Sequence, residues 1–180
     1  IAKNYRRNAI SYLSTFSKLI RSILTHSVNN KIRLSEELDM LKNYIELELI
    51  RFEQKFAYSI NIDDDIDPDG IEIPSLLIQP FVENAILHGL HARKEAGKLE
   101  ITIRNGTDKV FFVIEDNGIG RRAAREMKSK NLSSHKSVGM KLTEERLKLI
   151  NRNQDISLDI EDLVDGDVAL GTRVVISVHK

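Results

Sequence analysis

In the run Gln79-Pro80-Phe81-Val82-Glu83-Asn84-Ala85-Ile86-Leu87-His88-Gly89, two polar side chains, Asn84 and His88, stand four residues apart. On a helix that spacing puts them on one face, with Glu83 turned about 100° away from Asn84. An Asn amide oxygen suits a hard cation such as Mg²⁺, which takes oxygen ligands and keeps several waters. A lone polar helix residue is as readily a satisfied surface or core group. A second segment, Asp116-Asn117-Gly118-Ile119-Gly120, leaves a β-rich stretch. Its carboxylate can accept a hydrogen bond from an amino group such as the exocyclic amine of adenine, and its glycines let backbone approach a ligand closely. The same residues also make an ordinary strand-ending turn.

Two further segments complete the set. Ser137-Val138-Gly139-Met140-Lys141 opens an expected helix over about 139–151, and helix N-termini bind phosphate through free N–H groups and the dipole. From Arg121 to Lys141 there are seven Lys or Arg against one Glu, net +6 in a chain of net zero. That run reads either as a solvated basic loop or as a lid over a polyphosphate. Gly171-Thr172, ahead of the last strand, can line a nucleobase pocket. There is no Walker A pattern, so a P-loop is excluded.

These segments need elements to hold them. Residues 1–57 read as a helical hairpin. One apolar stripe is Ile10, Leu13, Phe16, Ile20 and Leu24; the other is Leu34, Leu38, Leu41, Ile45 and Phe52. Ser27-Val28-Asn29-Asn30 is the expected turn, Ser35 the expected N-cap, and Glu36 and Glu37 favour the first helical turn. Such a hairpin buries little alone, so a second copy is its expected partner. Residues 58–180 form the second region. Phe56–Ile62 alternates as a strand, an acidic turn follows, and a helix is expected from near Pro74 to Leu90, with Pro80 a kink or its true first turn. Leu99-Ile103 and Val110-Ile114 flank an Asn105-Gly106 hairpin signal; Ile156-Ile160 and Thr172-Val178 flank Asp165-Gly166. The fold class is α+β, an α/β sandwich with helices on one sheet face.

Composition narrows the function. The 180 residues carry 27 basic and 27 acidic side chains, which gives no support to a nucleic-acid binder. There is no Cys, so disulfides and a cysteine nucleophile are excluded. No apolar run approaches the roughly 20 residues that span a bilayer.

Taken together and in order, the four segments resemble the N, G1, G2 and G3 boxes of the GHKL ATP-binding superfamily. Ile73-Pro74, Leu77-Ile78-Gln79-Pro80-Phe81-Val82-Glu83-Asn84-Ala85 and His88-Gly89, with the upstream Tyr44-Ile45-Glu46-Leu47-Glu48 and Arg51-Phe52, resemble the LytS-like sensor histidine kinases. The resemblance implies a GHKL (Bergerat) ATP-binding domain preceded by a helical dimerisation hairpin. It implies that Asn84 coordinates Mg²⁺ on the phosphates of ATP and that Asp116 contacts the adenine amine. Gly118 and Gly120 would shape the base pocket, and Gly139, Met140 and Lys141 would follow the lid and face the phosphates. Thr172 would support the Asp116 end, Glu83 would polarise the acceptor histidine, and His88 would be a phosphate-side contact or a structural residue.

The sequence departs from the family pattern at Leu87, where Lys is common, at Ser137, where Gly is common, and at Leu142, where Asn is common. The five histidines are His26, His88, His91, His135 and His179, and none stands in an N-P-H-F-type acceptor segment. The resemblance therefore implies an acceptor upstream of Ile1, in a cytoplasmic part of a membrane protein anchored through that upstream region. The implied activity is transfer of the ATP γ-phosphoryl to histidine and on to a response regulator, which this fragment alone would not complete. The alternatives are a degenerate GHKL interaction module and a GHKL ATPase; the ATPase is disfavoured because Pro80 stands one turn before Asn84, where those enzymes carry a Glu.

Overall fold

The computed structural model describes residues 12–21, 30–93, 95–130 and 156–180. Their packing falls into two units.

In the first unit, residues 12–21 form a helix, α1. Leu19 is buried, whereas Leu13, Phe16 and Ile20 of the expected stripe are exposed within the single chain. Helix α2, Leu34–Arg51, buries Leu34, Leu38, Leu41 and Ile45, the second expected stripe. Phe52 falls just past its end, in a turn that carries Glu53 and Gln54 at positive φ. Ser35 is not the N-cap. Arg33 takes that place, its N–H donating to Glu36 Oε2 at 2.9 Å, and Ser35 sits inside the first turn with its hydroxyl on Asp69. Ahead of α2 lies a three-residue strand that sequence periodicity does not reveal. This strand, β1 (Lys31–Arg33), pairs antiparallel with β3 (Glu72–Pro74). Residues 68–77, grouped with the second region by sequence, therefore pack with the first unit. Pro74 ends a strand rather than opening a helix. The following turn puts Leu76 at φ 57°, held by its N–H donating to the buried Glu37 carboxylate at 2.9 Å.

The second unit is one five-stranded sheet with helices on one face. Its strands are β2 (Phe56–Ile62), β4 (Gly97–Asn105), β5 (Lys109–Asp116), β6 (Ile156–Asp165) and β7 (Val168–His179). The order is β2-β4-β5-β7-β6, with β2 parallel to β4 and every other pair antiparallel. Alternation decides the faces. Leu99, Ile101 and Ile103, then Val110, Phe112 and Ile114, then Val174, Ile176 and Val178, all point inward and are buried. The opposite face carries a row of ion pairs in which Arg173 joins Glu115 and Glu161.

Helix α3, Gln79–Asn84, has Pro80 in its first turn and continues directly as a π-helical turn, Ala85–Leu90. The π turn contacts β4, β5 and β7. A further helix, α4 (Gly120–Lys130), packs on β6, β7 and the π turn where sequence suggests only a basic loop. The acidic turn after β2 supports the β4–β5 hairpin, with Asp63 and Asp65 accepting hydrogen bonds from Asn105. The expected 139–151 helix lies outside the described residues.

Candidate functional site

The end of β5 is where the sheet, the π turn and α4 meet. Asp116 is buried, 5% exposed, and registers between Leu99 of β4 and Thr172 of β7. Its Oδ1 accepts the Gly118 N–H at 2.8 Å. Burial pushes its carboxyl up to about 6; the neighbouring Glu115 charge adds to the rise and the Gly118 hydrogen bond opposes it.

The turn after Asp116 is pinned from several sides. Asn117 donates its N–H to Lys98 O at 3.1 Å and accepts the Lys98 N–H on Oδ1 at 2.7 Å. The Arg93 guanidinium donates to the Asn117 carbonyl. Ile119 N–H donates to Gly89 O at 3.2 Å, which joins the turn to the π-helical segment.

Glycines make this approach sterically possible. A Cβ on Gly118 would lie 2.4 Å from the Gly89 backbone, and one on Gly171 would lie 1.8 Å from Asp116 O. Gly171 also adopts φ 141° and Gly120 φ 76°, conformations that favour glycine.

Beside Asp116 opens a cavity walled by α3 and its π turn, the inner sheet face, and α4. Asn84, His88, Gly89, Asp116, Gly120 and Thr172 line it, with apolar Phe81, Ala85, Ile114, Ile160 and Val174 between them. The mostly apolar wall with a few convergent polar groups is the usual make-up of a small-molecule site. Asn84 and His88 thus reach one volume despite the wider π winding, a winding frequent at functional sites.

The match to a family model described as "Histidine kinase" covers residues 1–56. The sensor histidine kinase YpdA of Escherichia coli K12 is 30% identical over 136 residues, 74% of this chain and 23% of that protein. The sensor protein LytS of Oceanobacillus iheyensis is 36% identical over 108 residues, 60% of this chain and 18% of that protein. The chain is a homologue of the LytS-type sensor histidine kinases. It spans less than a quarter of the length of either of these two relatives. The catalytic domain of histidine kinase ThkA superposes with TM-score 0.57 at 17% identity, covering 83% of this chain and 94% of that one. A structure of ThkA in complex with the response regulator protein TrrA superposes at 0.54 and 16% identity, covering all of this chain and 52% of that one. The fold is therefore that of histidine kinase catalytic domains.

In this LytS homologue the sequence-derived site residues separate into four groups. Asn84, His88, Asp116, Gly120 and Thr172 share the cavity. Gly118 stands just behind it against Gly89. Glu83 is turned away from the cavity lining, half-buried, and accepts the Gln79 amide at 3.0 Å. Gly139, Met140 and Lys141, with Ser137 and Leu142, lie outside the described residues. Sequence reasoning passed over Gly89 and Gly171 as close-approach positions, Arg93 as a clamp, and the cavity-lining pair Arg121 and Arg125. Only the basic composition of 121–141 hinted at the last two. Among the described residues no helix is long and apolar enough to cross a membrane.

Proposed function

We propose that this chain is the ATP-binding catalytic part of a two-component sensor histidine kinase. One observation carries the reading. A buried carboxylate, Asp116, stands at one end of a cavity whose walls also carry Asn84 and Thr172, and its surroundings are closed to any side chain at Gly89, Gly118 and Gly171. An ionised acceptor in an apolar pocket selects an amine donor, as the adenine exocyclic amine is. Thr172, opposite Asp116 on β7, supports that end of the base. The Asn84 amide oxygen suits Mg²⁺ on the phosphates, and the ion supplies charge neutralisation during phosphoryl transfer.

In this reading the chain's own work is positioning. The base is held at Asp116 and the phosphates run toward Asn84. Glu83 faces away from the cavity on the same helix, where it can orient an incoming histidine. The γ-phosphoryl passes to that histidine and from there to a response regulator, such as ThkA's partner in the solved complex. The domain works on the cytoplasmic side of a membrane-anchored protein, with residues 1–57 as its dimerisation and connector region. Exposure of Leu13, Phe16 and Ile20 along one helical stripe supports pairing with a second copy.

Calorimetric titration with ADP and a non-hydrolysable ATP analogue, with and without Mg²⁺, tests the reading. Saturable, Mg²⁺-sensitive binding that Asp116→Asn removes is expected. A folded sample that binds neither nucleotide overturns it.

A further inference from the structure

Among the described residues two arginines line the Asp116 cavity, and they are in different states. Arg121, in the first turn of α4, is committed. Its Nε donates to Asp162 Oδ1 at 2.7 Å and its Nη2 to Asp162 Oδ2 at 2.9 Å, a two-point clasp that holds the Asp162 carboxyl below the usual carboxylate range. Arg125, one turn further along, enters no hydrogen bond or ion pair among the described residues. Its charge only adds to the field at Asp162.

Position along the walls says what this second guanidinium faces. Gly89 and Gly120 both lie at the Asp116 end of the cavity. Asn84 is five residues from Gly89 on one wall, and Arg125 is five residues from Gly120 on the other. On each wall that is more than one helical turn from the carboxylate end. With its amine at Asp116 a base fills that depth, the sugar follows, and the phosphate chain would emerge beyond it, within reach of the long Arg125 side chain. A guanidinium is the side chain best shaped to take two phosphate oxygens at once.

We propose that Arg125 is a phosphate-binding residue of this site, facing Asn84 across the cavity, while the Asp162 clasp keeps Arg121 out of that role. The assignment rests on the nucleotide reading above and deepens it.

Wild-type protein, Arg125→Gln and Arg125→Lys are titrated with ADP and with adenosine, in Mg²⁺, at low and high salt. Adenosine carries the base contacts and lacks the phosphates, so it separates the two levels of the claim. The expected result is about a tenfold loss of ADP affinity in Arg125→Gln, a smaller loss in Arg125→Lys, and unchanged adenosine binding. The salt dependence of ADP binding should also flatten in the Gln variant, because one charge contact that salt screens is lost. Equal losses for ADP and adenosine would assign Arg125 to packing, and unchanged ADP affinity would remove it from the site; either overturns the proposal while the nucleotide reading stands. A wild-type protein that binds neither compound overturns both.

Discussion

The carboxylate of Asp116 occupies the space that a side chain on Gly89 would need: a Cβ there would stand 2.6 Å from Asp116 Oδ1, the oxygen that already accepts the Gly118 N–H. The π-helical turn and the end of β5 therefore meet through one glycine and one acid. Gly89→Ala tests the contact. Alanine improves helix propensity by about 1 kcal/mol, so stabilisation would mean that the carboxylate yields easily. The expected outcome is instead a loss of roughly 1–3 kcal/mol in urea denaturation, as in other overpacked cores, with weakened nucleotide binding.

In the proposed reading Asp116 sets nucleotide binding against stability. Its carboxyl rises from 3.8 to about 6 on folding. A carboxyl raised on folding binds protons more tightly in the native state. The term it contributes therefore favours the fold at low pH and fades as pH rises from about 4 to about 6. Asp116→Asn removes the buried charge. The variant should exceed wild type in stability by up to about 3 kcal/mol at pH 7.5, and the advantage should shrink toward zero near pH 4. Nucleotide affinity of the wild type should in turn decline as pH falls below 6, because a protonated acid is a poor acceptor. Denaturation curves and titrations across pH 4–8 check both signs.

Arg93 reaches the turn after Asp116 at the Asn117 carbonyl. Its guanidinium donates to the Asn117 carbonyl and also pairs with Glu95 at 2.9 Å. Glu95 is mostly exposed, so Glu95→Ala should change little. Arg93→Ala should weaken adenosine binding several-fold by loosening the 116–118 turn, and Arg93→Lys, which keeps a donor, should restore part of it. Melting temperatures measured alongside separate a loosened turn from a lost fold.

Gly171 is the least forgiving backbone position near the site. An added Cβ would sit 1.8 Å from Asp116 O, at a φ of 141°. No side-chain rotation relieves a clash with backbone. Gly171→Ala should cost more than about 3 kcal/mol and lower the melting temperature sharply; a near-wild-type melt would show that β5 and β7 can part here.

The readable part of the sequence is the part whose signal is local. Strands β4, β5 and β7 show in the alternation of Leu99 to Ile103, Val110 to Ile114 and Val174 to Val178, because one sheet face is buried and the other wet. Asn84 and Asp116 show because each sits in a distinctive short run. Helix α4 does not. Its Gly120–Ala124 start has only alanines to bury, and charge dominates the rest, so it lacks the apolar stripe that marks a helix. Strands β1 and β3 are three residues each, too short for a period to emerge. The roles of Gly89, Gly171 and Arg93 depend on partners 27, 55 and 24 residues away in sequence, which spacing rules cannot reach.

The route of the backbone has a further consequence. The chain leaves the first unit after Lys55 to build β2, returns at Pro68 to build β3, and leaves again after Leu77 to begin α3. The two units are thus tethered at three points. Neither unit is a continuous stretch of chain, so neither can be completed before part of the other has been made. For the same reason no single cut separates the units: a cut after Leu77 strips β2 from the edge of the sheet, and a cut after Lys55 strips β3 from its partner β1.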